Sequence, residues 1–100
     1  MLDERIVKVL RGVDDPEVGV NIVDLGLVYV ADWTREGIAV ALTATSRSCP
    51  MGEQMMEEAH ILLSDAFPES EITVEMVWAP PWGPERMSDA AREQLFADEG

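Results

Sequence analysis

Apolar side chains at Leu2, Ile6, Val9, Leu10 and Val13 fall at i, i+4, i+7, i+8 and i+11. That spacing predicts one stripe of an amphipathic helix. Asp3 and Glu4 at its start and Lys8 and Arg11 near its end suit the helix dipole. Gly12 is placed to stop it. Residues 14–24 then read as a loop, because Asp15-Pro16 turns the chain away from helix and Gly19 and Asn21 are turn formers.

Two strands follow, over Gly26–Trp33 and Gly37–Thr45, joined by a hairpin at Thr34-Arg35-Glu36-Gly37. The second strand alternates. Ile38, Val40, Leu42 and Ala44 share one face, and Ala39, Ala41, Thr43 and Thr45 the other. The first set can meet a helix layer. The second is small and partly polar. After the loop Ser46–Cys49, Pro50 opens a helix that runs to about Phe67. Its expected buried stripe is Met55, Ala59, Leu62, Leu63 and Ala66. Glu53, Glu57, His60 and Ser64 line the opposite side. A third strand alternates through Ile72, Val74, Met76 and Trp78, a rigid loop follows over Ala79–Pro84, and Ser88 can cap a last short helix to about Phe96.

The expected order is α-β-β-α-β-α. A right-handed strand–helix–strand crossover makes this an α+β, two-layer α/β sandwich. It has a small mixed three-stranded sheet, with helices on one face. Residues 1–100 contain no repeat or linker and read as a single domain. The uncovered sheet face invites dimerisation, so a homodimer is the expected assembly.

Composition narrows the function. A net charge of −13 repels phosphate backbones and argues against nucleic-acid binding. No apolar run reaches bilayer length, and residues 1–11 show no signal-peptide core, so the expected home is a reducing cytoplasm and not a membrane. The chain has 100 residues and one cysteine. It can form no internal disulfide and has little room for both a core and a deep cavity.

That cysteine, Cys49, is the leading chemical candidate. It follows a strand and precedes a helix-opening proline, so the positive end of the helix dipole and Arg47 would favour its thiolate. Thr45, Ser46 and Ser48 supply hydroxyl donors. A thiolate is a nucleophile and a soft-metal ligand. The alternative is a small capping residue with no chemistry. One cysteine cannot hold an iron–sulfur cluster alone, so handover or client docking fits better than storage. His60, the one histidine, is expected on the solvent face, away from any Cys–His dyad. Asp15, Glu17 and Asp24 either rim the cysteine or serve turn chemistry. Trp82 is either an exposed anchor for a partner or a lid folded onto the core, and Trp33 and Trp78 are read as core or sheet-edge residues. Phosphate-loop, dinucleotide, Cys-x-x-Cys and nucleophile-elbow motifs are all missing from the sequence.

Four segments in order, Val13-Asp-Asp-Pro-Glu-Val18, Asn21-Ile-Val-Asp-Leu-Gly-Leu-Val-Tyr29, Thr43-Ala-Thr-Ser-Arg-Ser-Cys-Pro50 and Pro80-Pro-Trp-Gly-Pro-Glu-Arg-Met-Ser88, resemble the SufT/PaaD-type family of small iron–sulfur cluster assembly proteins. The resemblance spans roughly residues 3–96. It implies the two-layer fold and a functional cysteine at Cys49, a candidate transient cluster ligand. It implies a site shaped by Asp15, Pro16, Glu17, Asp24 and Gly26. Thr45 and Trp82 are implied to approach the same region, with Arg47 and Pro81 beside them. The implied cofactor state is none tightly bound, with an iron–sulfur cluster passing through transiently. The implied partners are apo iron–sulfur clients or other assembly factors. Two departures stand out. Ala79 replaces the aspartate that many relatives carry before Pro-Pro-Trp, and the cysteine-rich C-terminal extension of phenylacetate-pathway members is not present. The first leaves an acidic group missing at that place, and the second argues for general maturation over an oxygenase-accessory role. Three functional readings follow: a maturation factor acting through Cys49, an interaction module in which Cys49 is only structural, and a thiol enzyme with Cys49 as nucleophile.

Overall fold

The computed structural model describes residues 2–16, 18–44 and 52–96. Helix α1 spans Glu4–Leu10. Asp3 caps it, accepting from the amides of Arg5 (2.9 Å) and Ile6 (3.4 Å). This is the standard way to satisfy orphan donors of a first turn. Displaced water raises the Asp3 carboxyl. The two amide bonds and the Arg5 charge more than offset that, leaving it below the usual carboxylate value. A lowered carboxyl stabilises the fold above its ordinary value and loses that contribution as pH falls through the folded one. An Asp3→Ala variant is therefore expected to melt below the native chain at neutral pH. The gap should narrow in acid, measured by thermal melts across a pH series.

Ile6, Leu10 and Val13 are fully buried, as the stripe requires. Leu2 departs from the expectation. It lies before the cap, bridges to Ala31 in parallel and stays 47% exposed. The segment read as a loop contains a small hairpin, β1 (Asp14–Asp15) against β2 (Val20–Asn21). Its turn is closed by the Asp15 carbonyl, which accepts from the amides of Val18 and Gly19.

Strands β3 (Val28–Trp33), β4 (Gly37–Leu42) and β5 (Glu71–Met76) form the mixed sheet in that order. β3 and β4 are antiparallel, and β4 and β5 are parallel. Helix α2, Gly52–Ala66, makes the crossover between the parallel pair. The register carries an irregularity between Val28 and Val30. Val28 therefore pairs with Leu42 on the core face, whereas Val30 pairs with Ala41 on the outer one. Below the sheet, α1 and α2 pack on each other. Met55, Ala59 and Leu63 of α2 join Ile38, Val40, Leu42 and Ile72 in one apolar cluster. Two positions of the expected α2 stripe differ: Leu62 is half-buried, and Ala66, the last residue of the helix, is exposed. Thr43, assigned to the small polar face, is instead 1% exposed, with its amide bonded to the Leu27 carbonyl. Trp33 sits at the sheet edge, its ring edge-to-face with Phe67 at 5.4 Å. Ser88 caps helix α3 (Asp89–Phe96) through the amide of Ala91, which reaches the core.

Candidate functional site

Because β4 and β5 are parallel and β3 is antiparallel to them, one end of the sheet collects three things. These are the turn that enters β3, the exit of β4 and the exit of β5. Gly52, where α2 begins, lies at the same end. A methyl group there would meet the Met76 side chain at 3.1 Å. Ala44 and Gly52 are the described residues that flank 45–51. The expected site residues Thr45, Arg47 and Cys49 lie outside the described residues, as does Glu17.

The described candidates that meet at this end are Asp24, Gly26 and Trp82. The turn before β3 is organised by Asn21 and Asp24. The Asn21 side-chain oxygen accepts from the Asp24 amide at 2.9 Å, and its amide nitrogen donates to Asp24 Oδ2 at 2.9 Å. The Asp24 carbonyl accepts from the Ser88 amide at 2.7 Å. Turn chemistry therefore accounts for Asp24. Gly26 has φ +77°, a region that side chains disfavour, and a methyl there would collide with the Arg86 carbonyl. Trp82 donates its indole N–H to the Leu25 carbonyl at 2.8 Å and packs half-buried against the core. Of the two readings left open for Trp82, the structure supports the lid. Pro81 beside it is exposed.

Asp15 is fully buried, and Pro16 is exposed on the turn that Asp15 closes. Asp15 is thus held in the hairpin and not displayed as an open acidic rim. His60 is exposed on α2, where its Nδ1 lies 3.4 Å from Ser64 Oγ. Among the described residues no three His, Cys, Asp or Glu side chains stand close enough to hold a metal ion. None of the described helices is long and apolar enough to cross a membrane.

Sequence reasoning missed two contributors. Tyr29 donates its hydroxyl to the Pro80 carbonyl at 2.8 Å, and the Arg86 guanidinium lies 4.7 Å from the Tyr29 ring centroid. With Trp82, Ser88 and Gly26 they staple residues 80–88 to the turn at 21–29. Both belong to the motif segments quoted above, but nothing in those segments says that they touch each other.

The three-stranded mixed sheet, its helices and the proline–tryptophan loop stapled to the turn before β3 define a small α+β protein. The chain belongs to the iron–sulfur cluster assembly protein family, whose sequence pattern it matches over residues 3–76. It is 39% identical over 95 residues to the Fe-S protein maturation auxiliary factor YitW of Bacillus subtilis, covering 94% of this chain and 93% of that protein. It is 41% identical over 82 residues to the Fe-S protein maturation auxiliary factor SufT of Staphylococcus aureus, covering 81% and 93%. A crystal structure of a domain of unknown function from Bacillus anthracis superimposes with a TM-score of 0.86 at 42% identity, covering 91% of this chain and 88% of that one.

Proposed function

We propose that this chain is an accessory factor in the maturation of iron–sulfur proteins and that it works through Cys49. The observation that carries the first part is likeness along nearly the whole length to proteins named as Fe-S maturation auxiliary factors. The second part is supported by chemistry. Cys49 is the one thiol, and in the sequence it falls between β4 and α2, directly before Pro50. A single thiolate supplies one ligand where a cluster needs about four. The cluster is therefore cargo, held jointly with a client or with small thiols and passed on. No cofactor is bound tightly in this account.

The partners are apo iron–sulfur clients or other assembly factors, and the working compartment is a reducing cytoplasm, where a lone thiol stays available. Self-association would be the other use of the uncovered sheet face. A Cys49→Ser variant is expected to fold normally and to leave client enzymes under-loaded with iron and sulfide, measured as client activity and metal content in cells that depend on this factor. Full client loading by Cys49→Ser would favour an interaction module instead. A thiol enzyme would require a turnover activity lost in the same variant.

A further inference from the structure

The sheet face opposite the helices carries a groove. It is lined by Leu2, Val30, Val77 and Pro80, with Tyr29 and Ala41 forming part of its floor. Leu2 (47% exposed) and Val30 (39%) are two of the four large apolar side chains left exposed among the described residues. Three carboxylates flank the same face. The register puts Asp32 in a row with Ala39 and Thr73, Glu75 in a row with Ala41 and Val30, and Glu71 opposite Gly37. Asp32 therefore stands on the β3 side and Glu71 and Glu75 on the β5 side. Arg86 is the one cation lining the groove, and it lies over the Tyr29 ring.

We propose that this face docks an amphipathic helix of a partner protein, with lysine or arginine on both flanks of an apolar stripe. The inference deepens the maturation-factor reading and rests on it for the identity of the partner class. Strands lie about 4.8 Å apart, so the outer strands are separated by about 10 Å, the diameter of a helix with its side chains. A helix lying along β4 would set its stripe over Val30, Ala39 and Ala41. Its flanking cations would reach Asp32 on one side and Glu71 and Glu75 on the other. A second copy of this chain is a poor occupant. Two such faces would bring their carboxylates together, on chains that each carry a net charge of −13.

The test uses the full-length ¹⁵N-labelled chain and a 14-residue synthetic helix built from leucine, alanine and lysine, with a scrambled peptide of the same composition as control. The expected result is saturable binding of the amphipathic peptide, with amide shifts confined to residues 30–32, 37–41 and 71–77. E71K/E75K should weaken binding by about tenfold or more at low ionic strength, where rim charges act most strongly. E53K/E57K changes the net charge equally on the exposed side of α2 and should weaken it by no more than about twofold. If E71K/E75K fails to fold, E71Q/E75Q replaces it, with a smaller loss expected. Equal weakening by both pairs, equal binding of the scrambled peptide, or shifts centred on α2 would overturn the proposal. So would sedimentation showing a dimer that the β5 variant alone disrupts, since the occupant would then be a second copy. Peptide binding by Cys49→Ser separates the two readings. Retained binding with unimpaired client maturation removes the thiol role and leaves the docking face standing, whereas equal weakening by the β5 and α2 pairs, with client maturation still lost in Cys49→Ser, removes the face alone.

Discussion

Gly26→Ala is expected to be strongly destabilising. The position needs a positive φ of +77°, which costs a side-chain-bearing residue about 1–2 kcal/mol. The added methyl would also be driven into the Arg86 carbonyl, a backbone atom that cannot swing aside. Overpacking of that kind costs about 1–3 kcal/mol. Together these predict a loss of about 2–5 kcal/mol, which for a domain this small lowers the melting temperature by about 10 °C or more. The loop at 80–88 should loosen first, because a methyl at Gly26 would push on Arg86 of that loop. Hydrogen exchange at the Ser88 amide, bonded to the Asp24 carbonyl, should quicken in the variant by more than exchange at the Val40 amide. A melting temperature unchanged by Gly26→Ala would mean that this contact does not hold the loop.

Trp82→Ala is expected to act on the same joint from the other side. It removes a large half-buried ring and leaves the Leu25 carbonyl without its 2.8 Å partner, on a residue that is fully buried. An unsatisfied buried acceptor costs about 1–3 kcal/mol, and the lost packing adds to it, so a total of about 2–4 kcal/mol is expected. Trp82→Phe keeps most of the apolar area and loses the N–H donor, and should cost about 1–2 kcal/mol. The two results separate packing from hydrogen bonding. Because Gly26 and Trp82 secure one joint, their losses should not add. The double variant is expected to be less destabilised than the sum, by about 0.5–3 kcal/mol. Chemical denaturation of the four chains in a cycle measures this, and strict additivity would show that the two residues act independently.

The long elements were legible because their periods were long enough to count. The α1 stripe, the β4 alternation and the α2 face each repeat several times, and Ile6, Leu10, Ile38, Val40, Met55 and Leu63 all proved buried. The β1–β2 hairpin was not legible. Strands of two residues have no period, and Asp15-Pro16 and Gly19 signal only a turn. Leu2 fitted the helical spacing but precedes the cap, so it follows a strand-like path beside Ala31. Thr43 was placed by alternation on the outer face, but the chain leaves regular strand geometry after Leu42.

At the candidate site, sequence reasoning singled out Asp24, Gly26 and Trp82, and the fold brings these to one end of the sheet. It could not join them. The bond from Trp82 to Leu25 spans 57 residues and that from Tyr29 to Pro80 spans 51, and no local pattern encodes a contact at that separation. The choice between anchor and lid for Trp82 depended on the same long-range bond. Of the acidic residues read as a possible rim, Asp15 and Asp24 organise backbone turns through Val18, Gly19, Asn21 and Ser88, and Glu17 lies outside the described residues. Short acidic side chains and their carbonyls do this routinely.

The thiol at position 49 is the point at which the functional reading is most exposed to test. Anaerobic reconstitution with ferrous iron and sulfide, followed by transfer to an apo-acceptor, measures it directly when the native chain and Cys49→Ser are run side by side. The account predicts that the native chain speeds loading of the acceptor, and that Cys49→Ser, folded to the same melting temperature, gives only the rate of iron and sulfide alone. Equal acceleration by the two proteins would contradict it.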